Sequence, residues 1–138
     1  MGENFEDDLR LSVMRLARRI RLEKAGDDLT DARLSVLSVL RSEGSQTLGS
    51  LSEHERVSPP SMNRTVGALV ELGYVTRVTS PDDGRKVIID LTADGEAVVA
   101  ETRRRRSAWF HRQLDGLTDR EIELLQKVTP LLRRLSDS

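Results

Sequence analysis

Ser61, Asn63, Arg64 and Thr65 crowd together just after Ser58-Pro59-Pro60, and Asp83-Gly84-Arg85-Lys86 follows later in the chain. Their chemistry is hydrogen bonding and charge, not bond-making. Short polar side chains on a helix that fits a major groove can reach base edges. An arginine at a turn tip suits a phosphate or a narrow, A·T-rich minor groove. Arg64 can contact guanine with both arms or hold a phosphate, and the sequence leaves both open. The start of the helix is itself expected to attract phosphate. Asp83 is expected to fix the Arg85 side chain through a salt bridge. The candidate DNA-facing set is therefore Ser58, Ser61, Asn63, Arg64, Thr65, Asp83, Arg85 and Lys86.

Bond-making chemistry finds little to work with. His54 and His111 lie far apart with no adjacent ligand spacing, which favours surface or packing roles. No glycine-rich phosphate loop, nucleophile elbow or carboxylate pair is present, so no catalytic residue, metal or cofactor is expected. The absence of cysteine excludes disulfides, thiolate metal sites and thiol redox sensing, and fits a reducing cytoplasm. The apolar runs fall far short of the ~20 residues a membrane helix needs. The acidic start (Glu3, Glu6, Asp7, Asp8) does not read as a signal peptide. The formal net charge of -1 would by itself argue against a nucleic-acid partner. Position matters more than the sum, and Arg56, Arg64, Arg77, Arg85 and Lys86 outnumber Glu71, Asp82 and Asp83 between residues 56 and 86.

The elements that must hold these residues follow from periodicity. Ser58 is a good N-cap and Pro59 falls where a missing N–H costs nothing, so a helix starts there. Met62, Val66, Leu69 and Leu72 give it one buried face, and Gly73 ends it. Tyr74–Thr79 and Lys86–Leu91 are β-prone, and the turn residues between them make a two-stranded wing. Upstream, Phe5, Leu9, Val13, Leu16 and Ile20 predict a helix from Phe5 to Lys24. Thr30 caps a second, central helix carrying Leu34, Val36, Leu37, Val39 and Leu40. Thr47 caps a short third one through His54, and Glu55-Arg56-Val57 joins it tightly to the helix at Pro59, which is a helix-turn-helix. Downstream, Thr92 opens a helix to about Leu114, with Ala97, Val98, Thr102, Ala108 and Trp109 turned inward. Thr118 and Glu121 form a capping box for a last helix striped by Ile122, Leu125, Val128, Leu132 and Leu135, which Pro130 is expected to kink or interrupt. The chain is thus mainly α with a small β wing. Residues 29–91 form a winged helix-turn-helix core, residues 1–28 an N-terminal dimerisation helix, and residues 92–138 the C-terminal helices that complete the dimerisation region. The flanking stripes have no partner in the core, and a second copy of the chain is the simplest way to bury them.

These residues resemble the MarR family of transcriptional regulators over nearly the whole chain. The resemblance rests on Asp83-Gly84-Arg85 with Val87, Ile89 and Leu91 alternating after it, on Leu91-Thr92-Ala93-Asp94-Gly95, on Ser58-Pro59-Pro60-Ser61-Met62-Asn63-Arg64, and on Leu72-Gly73-Tyr74-Val75-Thr76-Arg77. Two positions depart from the common pattern: Arg33, where glutamine is frequent, and Ser52, where alanine is. The resemblance implies a cytoplasmic homodimer that binds double-stranded DNA at a near-palindromic operator, commonly as a ligand-responsive repressor, with Arg85 in the minor groove. It also implies a small aromatic or anionic effector between the winged core and the dimer helices, near Trp109, Phe110 and His111, with Phe5 and Leu9 facing them. The plainer reading of Trp109 and Phe110 is as dimer-core residues. Arg103–Arg106 wraps every side of its helix and reads as a solvated or ion-paired face. A winged-helix adaptor that binds protein without DNA is the alternative the near-neutral charge keeps open.

Overall fold

A computed structural model describes residues 3–138. Six helices and three short strands run in the order α1 (Glu3–Arg21), α2 (Asp31–Glu43), β1 (Gln46–Thr47), α3 (Leu48–Glu55), α4 (Pro59–Glu71), β2 (Val75–Thr79), β3 (Val87–Leu91), α5 (Ala93–Asp115) and α6 (Asp119–Ser136). The predicted caps hold α2 to α6 in place. The hydroxyls of Thr30, Thr47, Ser58, Thr92 and Thr118 each accept a first-turn amide, and Glu121 returns a bond to the Thr118 N–H. Leu29 and Leu34 flank the Thr30 cap at hydrophobic-staple spacing, and both are buried.

The core lies within the winged unit. Leu34, Val36, Leu37, Val39 and Leu40 of α2 pack with Leu51, Met62, Val66, Leu69, Val75, Ile89 and Val99. The sheet has three strands in the order β1-β3-β2, all antiparallel, with Val75 opposite Leu91 and Thr79 opposite Val87. The sequence reading supplied only two of them. β1 is two residues long, too short for alternation to register, and pairs Gln46 with Ile89 and Thr47 with Ile88. Ser52 is buried, and its hydroxyl donates to the Leu48 carbonyl at 3.1 Å.

The structure refines two expectations for the last helices. The inward face of α5 is Gly95, Val99, Thr102 and Trp109, whereas Ala97 and Ala108 are exposed. Alanine is too small to mark a face, and two of the predicted positions are off the stripe by one or two residues. Pro130 does not interrupt α6, which runs through it to Ser136. The hydroxyl of Thr129 donates to the Leu125 carbonyl at 2.7 Å, giving an acceptor beside the proline a second partner.

Gly95 explains why α5 leaves the wing as it does. A Cβ there would overlap the Tyr74 carbonyl oxygen and stand 2.7 Å from Leu91 Cδ1. The same corner is pinned by Thr92, whose N–H donates to Tyr74 O at 3.0 Å and whose hydroxyl donates to Gly73 O at 2.6 Å. Further along, α5 is stitched to the segment that follows α1. Ala25 N–H donates to the buried Thr102 hydroxyl at 3.1 Å, and Arg105 and Arg106 donate to the carbonyls of Lys24 and Glu23 at 2.9 and 3.1 Å. Arg104 and Arg105 also pair with Glu101. Two of the four arginines are thus ion-paired within α5, and Arg105 and Arg106 also hold the carbonyls of the segment that follows α1.

Nothing on α6 is buried, and α1 is open along its apolar stripe. Phe5, Met14, Leu124, Leu131 and Leu135 are between 48% and 65% exposed. So large an apolar surface on two amphipathic helices marks a contact face. Among the described residues no helix is long and apolar enough to cross a membrane.

Candidate nucleic-acid interface

The α4 helix buries Met62, Val66 and Leu69 and turns its other side outward. Asn63 and Arg64 are exposed, and the Arg64 guanidinium has no ion pair or hydrogen bond among the described residues. Ser61 and Thr65 are half-buried and point another way. They line a small cavity of about 160 Å³ with Ala32, Val36, Glu55, Val57 and Met62, and the Thr65 hydroxyl donates to Ser61 O at 3.3 Å. The four polar residues of α4 therefore split into an outward pair and a pair facing the turn. In the same cavity Glu55 carries a buried carboxylate oxygen with no hydrogen-bond partner, a feature the sequence reading did not anticipate.

The start of α4 has few amides to offer a phosphate. Pro59 and Pro60 have no N–H, Ser61 N–H is taken by the Ser58 hydroxyl at 3.2 Å, and Met62 N–H by Ser58 O at 2.9 Å. The start of α4 therefore offers a phosphate its aligned dipoles and few free first-turn amides. The Ser58 hydroxyl keeps its own proton to give.

The wing lies beside α4. Arg77 of β2 donates to the Asn63 carbonyl at 3.3 Å, tying the hairpin to the middle of the helix. The tip is a compact turn in which Ser80 N–H donates to Lys86 O at 2.8 Å and Lys86 N–H to Asp83 O at 3.0 Å. Asp83 does not make the expected salt bridge with Arg85. Its Oδ1 accepts the Arg85 backbone N–H at 3.0 Å instead. An aspartate two positions ahead is well placed to close such a turn on its own backbone. Asp83 thus shapes the turn, and the side chains of Arg85 and Lys86 are left exposed without a partner among the described residues.

The five residues expected around an effector do not all come together within one subunit. Trp109 is buried, with the Arg19 guanidinium 4.8 Å from its ring centre and the Phe110 ring edge-on at 5.4 Å. His111 is exposed and faces Asp115 at 3.7 Å. Leu9 lies ten residues before Arg19 on α1, about 15 Å along the axis, and lines a groove of about 720 Å³ with Val13, Met14, Leu132 and Leu135. Phe5 is exposed one turn beyond it. Phe5 and Leu9 therefore belong to the open α1/α6 face rather than to the Trp109 cluster. A separate cleft of about 700 Å³ between α2 and α5 is lined by Ser38, Arg41, Ser42, Glu96, Val99 and Arg103, with Arg41 paired to Glu96 at 2.7 Å.

Comparison with known proteins agrees with this geometry. The model of the MarR family matches residues 29–87. A helix-turn-helix-type transcriptional regulator of Mycobacterium tuberculosis is 37% identical over 130 residues, covering 94% of this chain and 91% of that protein. The crystal structure of a putative transcriptional regulator from Pseudomonas aeruginosa superposes with a TM-score of 0.86 at 28% identity, over 98% of this chain and 96% of that one. Streptococcus pneumoniae FabT, solved in complex with DNA, has the same fold, with a TM-score of 0.73 at 21% identity over 99% of both chains.

Proposed function

The chain belongs to the MarR family of DNA-binding transcriptional regulators, and from that premise we propose that it acts as a homodimeric repressor on a near-palindromic operator. One observation carries the reading. The chain that exposes Asn63, Arg64 and Arg85 on its winged core also leaves the apolar faces of α1 and α6 uncovered. A second copy seated on those faces buries them and pairs two recognition helices. On this reading residues 1–28 and 92–138 form the dimerisation region and residues 29–91 the DNA-binding unit. The half-sites are centred about 34 Å apart, one turn of DNA, or a small multiple of it. Within each, α4 enters the major groove with Asn63 and Arg64 outermost. Ser58, Ser61 and Thr65 flank the entry, and Arg85 reaches the minor groove with Lys86 on a phosphate. Asp83 sets the shape of the wing tip. Occupied promoter DNA excludes other proteins, which gives repression. The DNA complex formed by FabT supports the same use of this fold, and the relative's name as a transcriptional regulator favours it over a protein-only adaptor.

A small anionic or aromatic effector is proposed as the release signal. The cleft between α2 and α5 suits an anion, since the Arg103 guanidinium there has no partner among the described residues. It lies where the winged core meets α5, so a ligand wedged in it bears on the spacing of the recognition helices. The Trp109–Phe110 pair sits farther along the same helix.

Arg85→Ala tests the DNA reading. The side chain is exposed, with no hydrogen bond or ion pair among the described residues, so stability should change by no more than about 0.5 kcal/mol. Operator binding should weaken by about 1–3 kcal/mol per subunit. Unchanged binding would remove the wing from the mechanism.

A further inference from the structure

Arg56 is the one non-glycine residue with a positive φ among the described residues, at +55°, and it sits in the turn between α3 and α4. The other two such positions, at +83° and +80°, are glycines. L-residues are disfavoured in this left-handed region, and glycine is the usual occupant of a helix C-terminus that needs it. The turn holds the conformation firmly: Arg56 N–H donates to Glu53 O at 3.2 Å and Val57 N–H to Ser52 O at 3.1 Å. An arginine kept where glycine is more comfortable asks for a use of its side chain. That side chain is exposed and has no hydrogen bond or ion pair among the described residues, so its charge is left free.

Its place in the turn supplies one. Arg56 stands two residues before Ser58, the cap of α4, where the prolines and the cap have removed the amides that would otherwise meet a phosphate. We infer that Arg56 is a phosphate-contacting residue of the DNA interface, its guanidinium gripping the backbone at the mouth of the major groove beside the start of α4. The inference rests on the DNA-binding reading above. It adds one charge-assisted contact per subunit that carries affinity and register but no base sequence.

The test is the salt dependence of binding to a mixed-sequence duplex about three helical turns long, for the wild-type chain, Arg56→Gly and Arg56→Lys. Each phosphate contact contributes about 0.9 to the slope of log affinity against log salt, so two per dimer contribute about 1.8. Between 50 and 200 mM salt the wild-type chain should therefore lose about 12-fold more affinity than Arg56→Gly. Glycine relaxes the turn, so the same variant should melt at an equal or higher temperature, and a loss of binding cannot then come from misfolding. Arg56→Lys keeps the charge and should retain the wild-type slope. A wild-type slope in Arg56→Gly, or a glycine-like slope in Arg56→Lys, overturns the phosphate contact while leaving the DNA reading intact. A wild-type chain that binds no duplex at any salt overturns the DNA reading itself, and the Arg56 contact with it.

Discussion

Gly95→Ala adds one methyl group at the corner where α5 leaves the wing, and the geometry fixes what it must displace. The new Cβ would overlap the carbonyl oxygen of Tyr74 and press on Leu91 Cδ1. That carbonyl cannot retreat freely. It accepts Thr92 N–H, its neighbour Gly73 O accepts the Thr92 hydroxyl, and Val75 is held in register with Leu91. Relief requires the first turn of α5 to lift away, which strains or breaks both Thr92 bonds. At about 0.5–1.5 kcal/mol per bond, with overpacking against Leu91 added, the loss is about 2–4 kcal/mol. For a chain of this size that is a fall in melting temperature of roughly 10 °C. The assay is thermal unfolding at one fixed protomer concentration, because an assembling protein melts at a concentration-dependent temperature. Gly67→Ala is the matched control. Its Cβ meets nothing within 4 Å inside α4, so it should stabilise by about 0.5–1 kcal/mol through helix propensity. If the two variants melt alike, close approach at Gly95 does not explain the glycine.

Glu55→Leu removes a buried carboxylate oxygen that has no partner, and should raise stability by about 1–3 kcal/mol in denaturant titration; a loss would mean the oxygen is satisfied in solution. Glu121 has its carboxyl held below the ordinary range, first by the backbone N–H of Thr118 and then by its hydroxyl. Because the folded pKa is depressed, this contribution is fully present above the unfolded value of about 4.3 and fades as pH falls through the folded one. Glu121→Gln should therefore flatten the pH dependence of stability below about pH 4.5, and an unchanged profile would count against the capping box as an acid-sensitive element.

Much of this fold was legible because its signals are local. Thr30, Thr47, Ser58, Thr92 and Thr118 each declare a helix start by residue type alone, and all five act as caps. The core of α2 could be read from its crowd of leucines and valines. What escaped depends on distant partners. β1 exists because β3 offers it an edge, and nothing in Gln46-Thr47 announces that. The role of Asp83 turned on whether a side chain or a backbone amide lay nearer. Val98 packs against the core only at its edge while Val99 lies fully within it, because Gly95 seats the helix on Tyr74. The polar face of α4 was visible, but its division into an outward Asn63–Arg64 and an inward Ser61–Thr65 required the neighbouring turn. Phe5 and Leu9 were placed beside Trp109 because periodicity says which face a residue shares and not how far along a helix its partner lies.

Hydroxyl-radical footprinting of the wild-type chain on the DNA beside its gene bears most directly on the claim that two copies hold a pair of reading helices on one duplex. The account predicts two protected segments of related, inverted sequence on one face of the DNA, centred about 34 Å or a small multiple apart, with the wing contacts extending each outward. A single protected segment, or saturation at one chain per duplex, would contradict it.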